Sequence, residues 1–304
     1  MSTSVPGAAI DLGATIPATR QARVESPARV AIRRFLRHRL ATAGLIISIL
    51  LILSALFAPV LAPRDPLNIS ILDKFAPPMT KGFILGADEV GRDLISRLLY
   101  AGRISLLVGF AAMAVTVVVG TIVGLAAGYY GGRVDAVLMR FADALLSFPT
   151  VFLLLVLAAF VGASILSITL IIGLTSWMEL SRILRNQALT LREQDFVQAG
   201  RALGASNGWL ITRHMLPNTL GPIMVAATLN IANAVLAESY ISYLGYGIQP
   251  PEASWGNMLN NAQSYFGTAP WIALFPGVLI TLTVASFNFV GDGLRDALDP
   301  RTKR

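Results

Sequence analysis

The chain contains no cysteine, which excludes disulfides, thiolate metal sites and a cysteine nucleophile. Its two histidines, His38 and His214, are too few for a histidine-built zinc or haem centre. Charge is also scarce: 13% of the 304 residues are charged against 55% hydrophobic, and the mean hydropathy is +0.66. Soluble domains carry about a quarter charged residues, so most of this chain belongs in lipid. Lysine is rarest of the cations. Lys74, Lys81 and Lys303 follow Asp73, Thr80 and Thr302, so no Gly-Lys-Ser/Thr phosphate loop can be written and the chain is not expected to hydrolyse ATP alone. Gly245-Tyr246-Gly247 and Gly291-Asp292-Gly293 lack the strand-then-helix context of a dinucleotide site. The HExxH and GxSxG spacings of membrane proteases and hydrolases are both read as absent.

What the sequence has instead is long apolar runs. A helix crosses the bilayer core with about 20 mostly apolar residues, and six such stretches occur, at about 40–61, 104–129, 145–161, 165–177, 220–236 and 271–290. Only Gly162-Ala163-Ser164 separates the third from the fourth, which predicts a tight helical hairpin. The expected fold class is therefore all-α: a polytopic membrane protein of six transmembrane helices. Its segments are a basic arm over 1–39, a first span over 40–62, a loop over 63–103, a core of five spans over 104–290 and a tail over 291–304. Residues 1–28, rich in Ser, Ala, Pro and Gly without apolar periodicity, are expected to be disordered. The apolar run after the arginines is too long for a signal-peptide core and is expected to be a retained anchor.

The net charge of +7 would suit a nucleic-acid binder, but its distribution does not. Eighteen of the 24 basic residues fall in the N-terminal arm, the loops after spans two and four, and the tail, and six fall in the alternate loops. Loops near the cytoplasm carry the Lys/Arg excess, so both termini are expected in the cytoplasm. The arginines from Arg29 to Arg39 suit an amphipathic segment on anionic lipid.

Gly120, Gly124 and Gly128, with Gly132 beyond them, recur at four-residue spacing and leave one face of span two bare for close helix packing. Pro149 should kink span three by removing a backbone donor. Asp143, Glu179 and Glu238 fall at or near span ends, where headgroup or loop contact is expected rather than the mid-membrane placement of a proton-coupled carrier.

The loop between spans four and five, 182–217, carries the most specific pattern. Phe196, Ala199 and Leu203 recur at helical spacing, Gly204 is a helix stop, Ser206 an N-cap, and Pro217 is expected to end a second short helix. A pair of short helices pinned at both ends to the bilayer offers a surface for another protein and excludes a major-groove reader. Gln198-Ala199-Gly200, then Gly204, then His214-Met215-Leu216-Pro217 resembles the EAA signature of permease subunits in binding-protein-dependent ABC importers. Its spacing is kept, while Gln198, Gly200 and His214 replace the acid, the second alanine and the isoleucine.

Further runs narrow the resemblance to the C-type, or second, permease subunit of dipeptide/oligopeptide importers. Gly86-Ala87-Asp88-Glu89-Val90-Gly91-Arg92-Asp93 is similar to that branch's outer motif, as are Ser96-Arg97, Arg103-Ile104-Ser105-Leu106, Arg140 to Asp143 before Ser147-Phe148-Pro149, Glu238 to Gly245, and Ser254 to Leu259. Together the similar segments cover nearly everything from Arg33 to Pro300.

The resemblance implies a type I importer permease fold and a role in peptide import. The implied partners are a second permease subunit, two ATP-binding subunits and an extracytoplasmic substrate-binding protein that docks on 63–103 and 247–269. ATP and Mg would be held by the ATPase partners, so no cofactor, no metal and no catalytic residue is expected in this chain. Gln198, Ala199, Gly200, Gly204, Leu216 and Pro217 are the expected coupling residues, and the glycine face of span two is the expected meeting surface of the two permeases. A bacterial inner-membrane location follows from the same resemblance. The alternatives are the same machinery for a nickel chelate, glutathione or an oligosaccharide, and a stand-alone secondary carrier.

Overall fold

The computed structural model describes residues 27–260 and 262–298; the expectations for 1–26 and for Arg301, Lys303 and Arg304 lie outside the described residues. Helices account for nearly all of its regular structure, with two isolated β-bridges, Thr80 with Phe83 and Ala87 with Asp93. The arm yields α1, Pro27–Arg37, and α2, Arg39–Leu56. His38 separates them, its Nδ1 accepting the Ala41 amide at 3.1 Å as an N-cap. α2 stops at Phe57, and a short α3, Ala58–Leu61, carries Pro59 in its first turn.

α4, Leu94–Tyr130, is 37 residues, about 55 Å long, well beyond what a bilayer core needs. It begins ten residues before the predicted span because Asp93 caps it, accepting Ser96 N at 2.9 Å and Ser96 Oγ at 2.6 Å. α5, Gly132–Leu146, and α6, Thr150–Val161, meet at 87°. Pro149 caps α6, so the predicted kink is a full break, and the third stretch crosses only as a bent pair. Gly162, at φ +89°, and Ser164 make the tight turn into α7, Ile165–Arg192. The predicted span of 13 residues ends at Trp177, whereas the helix continues for 15 more.

α8, Asp195–Ala202, and α9, Asn207–Leu210, precede α10, Leu216–Tyr243. A five-residue π-turn, Ile211–Met215, joins α9 to α10, so that 207–243 is one long apolar helix. The loop after α10 holds α11, Trp255–Leu259, and α12, Trp271–Leu298, takes in 291–298 of the predicted tail. Among the described residues, five helices are thus long and apolar enough to cross a membrane, or six with the bent pair.

The bundle packs through small residues. A Cβ on Gly120 would lie 3.1 Å from Leu180 Cβ, on Gly124 2.6 Å from Ser181 O, and on Gly128 2.5 Å from Ala188 Cβ. α7 returns the fit, since a Cβ on Gly173 would lie 2.6 Å from Val115 Cβ. The glycine face of α4 is therefore filled by α7 within this chain, which corrects the expectation that it meets a second permease. Elsewhere Leu106, Val235, Trp255 and Phe287 close a core between α4, α10, α11 and α12.

Candidate functional site

The 182–217 segment builds a compact projection at one end of the bundle. α8 ends as a Schellman motif: Gly204, at φ +81°, donates its N–H to Arg201 O at 3.0 Å, and Ala205 donates to Gly200 O at 3.1 Å. Ser206 then caps α9, accepting Trp209 N at 3.4 Å. Gly200 permits the close crossing of α8 over α9, because a Cβ there would meet Leu210 Cδ2 at 2.9 Å. Gln198 turns back to donate Nε2–H to Glu193 O at 3.1 Å, and Ala199 is exposed on the outer side.

The inner side of the projection is locked into the bundle. Val197, Leu210 and Met215 are fully buried, and the latter two share a core with Leu125, Tyr129, Leu184 and Ile223, with Leu216 packed against it. Tyr129 at the end of α4 donates its hydroxyl to Asn207 Oδ1 at 2.7 Å, and the Arg201 guanidinium lies 5.3 Å from its ring centroid. The outer side is open and apolar: Leu203 is 89% exposed, and Phe196 and Trp209 flank His214 at 5.7 and 4.8 Å between ring centroids.

Pro217 does not end the second helix as predicted. It stands in the first turn of α10, where its missing N–H is tolerated because the helix has widened: Leu216 N bonds Ile211 O, and Asn218 Nδ2 reaches His214 O at 2.6 Å. Gly204-Ala205-Ser206-Asn207-Gly208 does have GxSxG spacing, which corrects the reading that it is absent. A nucleophile elbow needs a strand before its serine, whereas Ser206 follows a helix and caps another, so no hydrolase site is present there.

Two ion pairs brace the same end, Arg182 with Asp143 and a two-pronged Arg185 with Asp135, tying α5 to α7. Arg133 stands in the first turn of α5, and Arg192, Arg201 and Arg295 in the last turns of α7, α8 and α12. Arg64, Lys74, Lys81, Arg92, Arg97 and Arg103 lie at the other end.

At that other end, buried Asp88 organises the Gly86–Asp93 run, accepting Arg92 Nε at 2.7 Å and Arg97 Nη1 at 3.0 Å. Gly91 is required there: at φ +78°, a Cβ would stand 1.8 Å from Ser70 O. Burial, with the Asp88 charge beside it, pushes the Glu89 carboxyl above the usual carboxylate range. A cavity of about 220 Å³ opens beside these residues, lined also by Gln249, Asn257 and Tyr265.

Of the headgroup or loop contact expected for Glu238, the structure shows the loop. Glu238 is fully buried, accepting Ser105 Oγ from α4 at 3.1 Å and Ser242 Oγ at 2.7 Å. Ser105 and Ser242 in turn accept the backbone N–H groups of Trp255 and Ile248, both at 3.1 Å, so one carboxylate ties two membrane helices to the loop between α10 and α12. Glu179, predicted near a span end, is exposed midway along α7. The network is hidden in the sequence because Ser105 lies 133 residues from Glu238, although Ser242 lies only four away.

Residues 120–304 match the family of binding-protein-dependent transport system inner membrane components, and residues 26–78 match the N-terminal transmembrane domain of oligopeptide transport permease C. The chain is 42% identical over 96% of its length to a Brucella ovis protein provisionally named a peptide permease, covering 95% of that relative. It is 42% identical to a Brucella abortus protein with a provisional peptide transport system permease name, over 92% of this chain and 94% of the relative. To the dipeptide transport system permease protein DppC of Alkalihalophilus pseudofirmus it is 39% identical over 91% of both chains.

Proposed function

Because the chain belongs to the binding-protein-dependent transport system inner membrane component family, we propose that it is the C-type permease half of an ABC importer for di- and oligopeptides. As a multi-pass membrane permease it is not itself of an enzyme class. The energy would arrive from two separate ATP-binding subunits, which hold the nucleotide and its magnesium. A second permease would complete the pathway, and an external binding protein would deliver the peptide. The chain would reside in the bacterial inner membrane with both termini in the cytoplasm.

The observation that carries this proposal is the α8–α9 projection, apolar outside and locked to α4, α7 and α10 inside. A push on Phe196, Leu203 or Trp209 is passed through Leu210 and Met215 directly to the helix that runs to Glu238 at the far end. That geometry suits a rigid-body lever that switches the permease pair between inward- and outward-open states. Peptide as the cargo rests on the names of the relatives and on the oligopeptide permease C domain over 26–78.

Gly204→Trp tests the lever. A left-handed backbone at φ +81° is costly for tryptophan, and its bulk enlarges the docking face. The variant should retain its membrane fold while ATPase copurification or peptide uptake falls at least ten-fold, with peptide capture by the binding protein unchanged. Normal copurification and uptake would remove the coupling assignment.

A further inference from the structure

We propose that α1 is a docking element for anionic phospholipid headgroups in the leaflet at which α2 begins. Three faces of this helix are sorted by chemistry. Phe35, 8% exposed, packs with Ala41, Val290 and Ala297, with Ala31 beside them, against the end of α12. α12 is open to receive it, because a Cβ on Gly293 would come within 3.1 Å of the Phe35 ring. α1 is therefore held against the bundle in one orientation.

The adjoining face is apolar and bare. Ile32 and Leu36, one turn apart, are 61% and 57% exposed, and the strip continues into the exposed Leu40, Ile46 and Leu50 of α2. α2 is apolar enough to cross a membrane with only 28% of its span buried in this chain, so whatever solvates it also reaches Ile32 and Leu36. The third face is basic: Arg29, Arg33 and Arg37 follow at four-residue spacing, all exposed, with exposed Arg39 at the start of α2. α1 contains no acidic residue. A helix with an apolar strip continuous with a membrane span, bordered by a row of guanidinium groups, lies in the interface and places those groups at phosphate level. Guanidinium forks pair with phosphate oxygens in two-pronged fashion. Each basic side chain near an anionic leaflet is worth about five-fold in partitioning.

The absence of cysteine makes the test clean. Leu36→Cys, labelled with bimane, puts one fluorophore on the proposed lipid-facing strip of the full chain. In nanodiscs of phosphatidylcholine and phosphatidylglycerol, one lipid or the other is brominated, and quenching reports which stands beside α1. Brominated phosphatidylglycerol should be preferred at least several-fold over its share of the bilayer, with the preference falling as NaCl is raised. Arg29→Gln/Arg37→Gln/Arg39→Gln should bring it down to near parity, while the three lysine replacements keep most of it. Equal quenching by both lipids in the unsubstituted helix would overturn the proposal, as would a preference unmoved by salt and by the glutamine variant. Absence of quenching by either lipid would mean that a protein surface covers the strip, and would equally overturn it. The salt series on the unsubstituted arginines decides the matter even where the triple variant does not fold.

Discussion

At the scale of single residues, the small side chains of this bundle are as specific as any motif. Gly124 brings Ser181 O to within 2.6 Å of where a Cβ would stand, and without water to drive helices together, contact this close is what joins α4 to α7. Gly124→Leu should lower the apparent unfolding midpoint in detergent by several degrees, reflecting overpacking of about 1–3 kcal/mol. Gly208→Ala, in a helix with nothing within 4 Å of the new Cβ, should leave the midpoint unchanged or raise it. Equal losses in both would mean that the α4–α7 contact is not set by the glycine. Four-residue spacing announced such a face in the sequence, but periodicity carries no information about the partner. For the same reason Glu238 read as a span-end carboxylate: its three-way tie to Ser105, Ser242 and the loop between α10 and α12 exists only once α4 and α10 are side by side.

At the scale of elements, the α5–α6 pair shows how a local rule can be right in kind and too small in size. Proline lacks the amide that a helix interior needs, and the sequence predicts a kink at Pro149. The observed 87° break has further support from outside the segment, since Asp135 and Asp143 of α5 are held by Arg185 and Arg182 of α7. Spin labels at Val137 and Phe160, both exposed, separate the two causes. Straightening this stretch would lengthen their distance from about 25 to about 35 Å at 1.5 Å per residue. Pro149→Ala should add a longer, broader population measured by double electron–electron resonance. A distribution unchanged from that of the parent would assign the bend to the ion pairs alone. The 182–217 segment was legible to the residue at Gly204 and Ser206, because caps are local. At Pro217 it was not, because a π-turn two residues earlier re-phases the helix and accommodates the proline, and no hydropathy pattern encodes that adjustment.

At the scale of the whole molecule, charge and the lack of cysteine converge on one test. The bundle carries the α8–α9 projection, both ion pairs and the α1 arginines at one end, and the Asp88–Arg92–Arg97 cluster at the other. The same division appears in the sequence as eighteen basic residues against six, because helices that alternate in direction sort their loops into two sets whatever their packing. Orientation then follows from the basic excess near the cytoplasm. Leu72 and Leu203, 92% and 89% exposed, stand at the two opposite ends. Placed singly as Leu72→Cys and Leu203→Cys, each is the sole thiol in the chain. A membrane-impermeant maleimide added to intact spheroplasts should label position 72 at once and position 203 only after the membrane is opened. Labelling of 203 in sealed cells would turn the molecule over. It would put the projection beyond the reach of cytoplasmic ATPases and the basic face of α1 on the outer leaflet, so this measurement decides whether the lever and the lipid-facing helix share the compartment their chemistry requires.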